Sequence, residues 1–288
     1  MRLFVFGAGY SGKAIAARMA PEAKWAGGTT RSPEKFSELE SAGLTPFVFD
    51  GESLSQELSA ALAGVTHLVQ SVRPDAHGDP VLALAGQKMA ALMPNLEWVG
   101  YLSTVGVYGN HDGAWIDEDT PCEPLSERSR WRLEAENQWL EFSKKSAIPV
   151  AVLRLSGIYG PGRNTFEKIK NGTARRLVKP GQVFNRIHVA DIAGATTHLA
   201  AKGLGGVWNV TDDKPAPPQD VVLYASQLMG VEPPPETPFE TAELSPMARS
   251  FYGDNKRVSN QRLKASGYKF AFPDYETALG ALLESEKL

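Results

Sequence analysis

A single cysteine, Cys122, occurs in 288 residues, so no disulfide can close within the chain and a reducing compartment is expected. Long apolar runs are missing too. None approaches the ~18 residues of a membrane span, and the apolar N-terminal stretch is too short for the central region of a signal peptide. Neither sign of charge dominates: 30 Lys and Arg against 33 Asp and Glu leave a formal net charge of -3. That gives no electrostatic reason to expect nucleic acid or an anionic membrane as partner. The 5 histidines show no ligand-like spacing with cysteines or carboxylates, so no metal site is expected. Gly-x-Ser-x-Gly and Cys-x-x-Cys are also absent, which removes the usual hydrolase elbow and dithiol motifs. What remains is an ordinary soluble globular protein, with the cytoplasm as its expected location.

The most informative stretch lies at the N-terminus. A short apolar run, Leu3 to Phe6, feeds directly into Gly7-Ala8-Gly9-Tyr10-Ser11-Gly12, and Lys13 to Met19 read as a helix. This is the order a dinucleotide-binding turn requires. Gly7 permits the tight strand-to-helix turn, Gly9 lets backbone approach a pyrophosphate, and Gly12 lets the helix pack on the strand. Amides of Tyr10, Ser11 and Gly12, at the positive end of the helix dipole, would then face the phosphates.

Strand-like and helix-like segments alternate through the first half. Strands are expected at Leu3–Phe6, Trp25–Thr29, Thr45–Asp50, His67–Gln70 and Trp98–Ser103. Helices are expected at Pro33–Ala42, Leu54–Leu62 and Val81–Leu92, with glycines such as Gly43 and Gly64 as stops. Such alternation predicts an α/β fold, a doubly wound parallel Rossmann sheet covered on both faces. A polar loop, His111 to Pro124, precedes a long helix over Ser126–Lys145 and a strand over Val150–Leu155. Beyond Gly160 the pattern loosens, with helical character within Ile187–Ala201, a strand at Gly206–Val210 and a helix at Pro218–Met229. The prolines of 233–238 read as an exposed connector or flap. The expected organisation is a cofactor-binding domain over 1–160 and a small C-terminal substrate lobe over 161–288, partly interwoven with the sheet.

Four separate stretches together carry a family resemblance: Gly7 to Gly12, Leu102-Ser103-Thr104-Val105-Gly106-Val107-Tyr108-Gly109, Arg154-Leu155-Ser156-Gly157-Ile158-Tyr159-Gly160-Pro161-Gly162, and Asn185-Arg186-Ile187-His188-Val189-Ala190-Asp191-Ile192-Ala193. In order and spacing the chain resembles the extended short-chain dehydrogenase/reductases of the NAD-dependent epimerase/dehydratase type. The family places a Tyr and a Lys four residues apart on the long helix after the serine strand. Alignment on Leu133 and Glu136 puts Arg128 at the Tyr position and Arg132 at the Lys position, so the chain resembles an atypical member. Thr104 matches the family's Ser or Thr. A guanidinium keeps its proton at any working pH and cannot replace a tyrosine acid, yet it can bind anionic oxygen or polarise a carbonyl. The resemblance therefore implies Thr104 as orienting the reacting oxygen, Arg128 as binding or polarising it, and Arg132 in the cofactor-ribose role. The literal Tyr252-x-x-x-Lys256 comes too late in the chain and reads as a decoy.

Cofactor choice turns on the end of the second strand. A carboxylate there marks NAD sites, but the sequence runs Thr29-Thr30-Arg31-Ser32. Arg31 can pair with a 2′-phosphate, and Thr30 and Ser32 can add hydroxyls, so NADP is favoured with NAD as the alternative. Asp50 either approaches the adenine or caps its own turn. Tyr108, Arg163, Asn164 and Arg186 are candidate substrate contacts; a core role for Tyr108 and a solvated charge for Arg163 are the plain alternatives. Asp191 is expected to order local backbone. Two functions follow: an NADP-dependent oxidoreductase or epimerase-like enzyme acting on a small polar or sugar-related molecule, or a non-catalytic NADP(H)-binding sensor or scaffold. Family members pair through the helices matching Val81–Leu92 and Ser126–Lys145, so a homodimer is a further expectation, with Trp131 and Trp139 at the interface or packed inward.

Overall fold

A computed structural model describes residues 1–85, 88–245 and 249–286. The first half forms β1 (Arg2–Phe6), α1 (Tyr10–Met19), β2 (Trp25–Thr30), α2 (Phe36–Ser41), β3 (Thr45–Val48), α3 (Gln56–Leu62), β4 (His67–Gln70), α4 (Pro80–Ala85), α5 (Met89–Leu92) and β5 (Trp98–Thr104). After β6 (Trp115–Ile116) come α6 (Glu127–Ser146), β7 (Val150–Leu155), β8 (Gly157–Tyr159), α7 (Thr165–Lys170), β9 (Arg176–Val178), β10 (Arg186–His188), α8 (Val189–Ala201), β11 (Gly206–Val210), α9 (Pro218–Met229), β12 (Glu236–Pro238) and β13 (Arg257–Val258).

Seven strands form one parallel sheet in the order β11-β7-β5-β4-β1-β2-β3. The doubly wound expectation is met. The order reverses at β1, which pairs with β2 on one side and β4 on the other. Ligands of open α/β sheets bind outside the carboxyl ends of strands at such a reversal, and the glycine turn begins where β1 ends. Leu3, Phe4 and Val5 are wholly buried, as a strand covered on both faces requires. Phe4, Phe6, Leu68, Val99, Trp139 and Val152 share one core. Each large side chain so buried contributes about 1.5–3 kcal/mol before its ordering cost.

The chain divides into two compact units. The first comprises 1–107, 126–154 and 192–208; the second comprises 108–125, 155–191 and 209–288. The chain thus crosses between them repeatedly. The second unit has its own core, including Phe166, Val221, Ala225 and Leu279. It also holds three short parallel pairs, β8 with β10, β9 with β12 and β6 with β13.

Several local expectations change. The proline-rich segment is not merely a connector, because Glu236–Pro238 pairs with Arg176–Val178; a two-stranded ladder of three residues tolerates a proline at its end. The polar loop likewise contains β6. Pro33–Ala42 splits into a 3₁₀ turn at Pro33–Lys35 followed by α2. The expected Val81–Leu92 helix appears as α4 and α5, and its residues Gly86 and Gln87 lie outside the described residues. Among the described residues, no helix is long and apolar enough to cross a membrane.

Candidate functional site

The glycine turn is held by its neighbours through backbone geometry. Gly7 has φ +76°, and a Cβ there would lie 3.0 Å from both Val72 N and Val72 Cγ2, so only glycine fits. At Gly12 a Cβ would meet the Gly7 carbonyl oxygen at 3.0 Å, whereas at Gly9 its nearest neighbour is 4.0 Å away. The turn is therefore closed behind and open in front. Gly9 caps α1 with no side chain accepting from the helix amides, which leaves a positive helix end made of backbone.

Thr29, at the end of β2, fastens this turn twice. Its Oγ1 accepts from Gly7 N at 2.8 Å and its carbonyl accepts from Ala8 N at 2.9 Å. The side of Gly7 is set by a second chain of bonds. Gln70 Oε1 accepts from Val72 N, Gln70 Nε2 donates to buried Asp79 Oδ2, and Trp139 Nε1 donates to the same oxygen. Burial raises the Asp79 carboxyl above its ordinary range, against the hydrogen bonds it accepts from Gln70, Leu82, Trp139 and Val81. Trp139 is thus packed inward. The clamp also puts Thr30, exposed Arg31 and half-buried Ser32 immediately beyond Thr29, so the structure brings the turn and the β2 end together. Asp50, by contrast, accepts from the amides of Glu52 and Ser53. It caps its own turn, and these bonds hold its carboxyl below the usual value.

At the end of β5, Thr104 is half-buried and its Oγ1 accepts from Gly106 N at 3.1 Å. A Cβ on Gly106 would stand 3.1 Å from Ser129 Oγ, so the first turn of α6 passes beside this strand end. Ser126 caps that helix by accepting from Ser129 N. Arg128 is exposed on the same turn. Arg132 is used differently from what the resemblance implies. Its Nη1 donates to the Leu102 carbonyl at 2.8 Å and to Tyr101 Oη at 3.3 Å, and its guanidinium lies over the Tyr101 ring. It braces α6 against β5, because a long cation one turn further along the helix reaches the strand backbone.

Sequence reasoning missed the support under Thr104. Ser103 donates to buried Glu136, and Glu136 pairs with buried Arg154 at 2.8 Å. Their side chains are 1% and 6% exposed, so each charge depends on the other. The available signal was Glu136 itself, an acid at a helix position otherwise useful only as an alignment mark.

The second unit holds the remaining candidates. Tyr108 is fully buried and donates to Asn209 Oδ1 at 2.8 Å, a core residue rather than a ligand wall. Asn164 accepts from Glu167 N and donates to the Gly160 carbonyl, so its amide is spent as the cap of α7. Arg163 is exposed and bridges in backbone to Gly160. Arg186 is half-buried, with Nη1 donating to the carbonyls of Phe184 and Ala216. Asp191 accepts from Tyr268 Oη and from the amides of Ala271 and Phe272, which orders the backbone. Tyr252 stacks on Phe239, and buried Lys256 pairs with Asp254 and donates to the Gly109 carbonyl. That pair is structural.

Comparison with known proteins agrees with this geometry. The chain is 45% identical to a conserved protein of unknown function from Silicibacter pomeroyi DSS, with a TM-score of 0.89 over 100% of this chain and 99% of that one. Protein YeeZ of Escherichia coli (strain K12) is 29% identical over 227 residues, 76% of each chain. The human epimerase family protein SDR39U1, solved with NADPH, has the same fold at 19% identity and a TM-score of 0.73, over 99% of each chain. A family model described as NAD dependent epimerase/dehydratase matches residues 4–211, and with the glycine turn at a sheet reversal this chain belongs to the NAD-dependent epimerase/dehydratase family.

Proposed function

We propose that the protein is an NADP(H)-dependent oxidoreductase or epimerase-like enzyme acting on a small polar or sugar-related substrate. The carrying observation is the double clamp of Thr29 on Gly7 and Ala8, which sets an open-fronted phosphate turn beside Arg31. Gly9 leaves room where a pyrophosphate approaches, so the residues present fit a dinucleotide. No carboxylate stands at Thr30-Arg31-Ser32 to receive a ribose 2′-hydroxyl, and an exposed guanidinium suits a 2′-phosphate. NADPH in the human protein of like fold supports the same choice.

The bound cofactor supplies hydride exchange with a substrate carbon. This chain's residues do the rest. The turn's amides hold the pyrophosphate, Arg31 pairs with the 2′-phosphate, and Thr104 orients the reacting oxygen. Arg128 stabilises negative charge developing on that oxygen without moving a proton, which exchanges with water. Arg132 keeps α6 and β5 in register. The protein pairs with a second copy through α6 and the segment around α4 and α5, and a monomer by light scattering at micromolar concentration removes that part of the reading.

Thermal unfolding with NADP⁺, NADPH, NAD⁺ and NADH tests the cofactor. The favoured pair is expected to add about 2.7 kcal/mol at a hundredfold excess over Kd. Arg31→Ala is expected to abolish the preference for the phosphorylated pair; an unchanged preference overturns the role of Arg31. The engagement of Arg132 with Leu102 and the lack of a tyrosine at position 128 favour a second reading, an NADP(H) sensor. Binding of NADPH with no turnover across carbonyl, alcohol and nucleotide-sugar panels selects it.

A further inference from the structure

Arg186 is a half-buried charge with no ion-pair partner among the described residues. Its Nη1 is fixed by two backbone carbonyls, Phe184 at 2.9 Å and Ala216 at 3.1 Å. Among the described residues no carboxylate lies within ion-pair distance of it, and the Nε–Nη2 edge has no protein acceptor. Asp212, whose amide donates to the Arg186 carbonyl at 2.8 Å, acts most strongly on its charge, followed by Tyr159, Tyr275 and Asp220. None of these forms a hydrogen bond with the guanidinium. Two of them are themselves incomplete: Tyr159 Oη and Asp212 Oδ2 are buried without a partner. Beside Arg186, the Tyr275 ring centre lies 6.0 Å from Cζ, an apolar wall on one side of the charge.

We propose that the Nε–Nη2 edge of Arg186 is a carboxylate-binding fork, so that the ligand taken by the second unit carries a carboxylate. A guanidinium pinned through Nη1 is already oriented, and its remaining edge presents two parallel N–H donors at the spacing of two carboxylate oxygens. Preorganisation lowers the ordering cost of binding. The guanidinium sets the sign of the ligand's charge, and the acidic neighbours limit its size. Asp220 and Asp274 act on this cluster, so a doubly charged phosphate would meet more repulsion than a singly charged carboxylate. The inference deepens the enzyme reading and rests on it only for treating the ligand as substrate; the fork itself lies wholly within the second unit.

The test uses the full chain and three probes: sodium lactate, its neutral analogue lactamide, and inorganic phosphate, titrated by ligand-observed NMR. Lactate is expected to bind, with lactamide and phosphate each weaker by about tenfold or more. Arg186→Gln is expected to lose lactate binding, while Arg186→Lys weakens it by removing the fork and keeping the charge. Equal binding of lactate and lactamide, phosphate binding as tight as lactate, or undiminished lactate binding by Arg186→Gln overturns the proposal. Phenylglyoxal labelling of the wild-type chain, mapped by mass spectrometry, needs no variant: lactate must slow modification at Arg186, and equal labelling with and without lactate also overturns it. NADPH affinity of the same wild-type preparation is read separately. NADPH binding without lactate binding sinks the fork and spares the cofactor reading; lactate binding without NADPH binding does the reverse.

Discussion

The glycine turn of the first unit and the Arg186 cluster of the second solve the handling of charged groups in opposite ways. Around the turn, backbone amides face outward and every supporting side chain is saturated: Thr29 holds two amides through two oxygens, and Asp79 takes four donors. Around Arg186 the charge sits on a side chain, and the neighbouring Tyr159 and Asp212 each keep a buried polar atom without a partner. A backbone site is rigid and generic, since amides recognise phosphate whatever the rest of the ligand. A side-chain site with unmet groups is costly and specific, since it is completed only by a ligand of matching chemistry. The proposed function uses that difference, with cofactor held by the turn and ligand discrimination left to the Arg186 cluster.

Breaking the backbone site should give the largest effect. Gly7→Ala forces a Cβ into a left-handed residue and onto Val72, and the two penalties together should cost about 4 kcal/mol. Urea unfolding checks the loss, and the stabilisation by NADPH should vanish with it.

Relieving the side-chain site should act in the opposite direction. Burial pushes the Asp212 carboxyl up to about 8, while the unfolded group titrates near ~3.9. Between those values the folded chain keeps a proton that the unfolded chain releases, so stability falls as pH rises from ~4 to ~8 and levels off above. Asp212→Asn cannot ionise. It should stabilise the protein by about 3 kcal/mol at pH 8 and by nothing at pH 4; the gain is below the full linkage because the amide inherits the missing partner. Denaturant unfolding at both pH values decides it, and a pH-independent gain would assign the effect to packing instead.

The smallest effect sharpens the comparison. Thr29→Val keeps the shape of the side chain and the carbonyl bond to Ala8, and removes only the acceptor for Gly7 N. It should cost about 1 kcal/mol and lower NADPH affinity, with Thr29→Ser restoring both. A loss of stability without any change in affinity would make Thr29 a purely structural residue.

The central strands β1, β5 and β7 were legible because each is a largely apolar run of five to seven residues, and a strand buried on both faces needs little else; β2 and β3 were read from their place between helix signals. The short pairs β6 with β13 and β9 with β12 were not, because two or three residues carry no periodicity and Pro238 argued against a strand. The site divides in the same way. Gly7, Gly9 and Gly12 were readable because steric demand at a turn is local. Four residues of helix put Arg128 and Arg132 one turn apart, but nothing in that spacing reveals that Arg132 reaches the Leu102 carbonyl while Arg128 stays in solvent. For Tyr108 the sequence left a ligand wall and a core role open, and the bond to Asn209 selects the core; the amide of Asn164, a candidate ligand contact, is engaged by the Gly160 carbonyl.

By itself the sequence determined the sheet, the glycine turn and the absence of an acid at Thr30-Arg31-Ser32, since these depend on side-chain size, periodicity and charge along adjacent residues. Only the tertiary structure decided how each polar group is used. Glu136 and Arg154 lie 18 positions apart in the chain and 2.8 Å apart in space, and Asp212 is left incomplete beside an Arg186 held by Phe184 and Ala216. Hydrogen bonds and burial are made between distant residues, so the saturation that separates a structural side chain from a binding one exists only after folding.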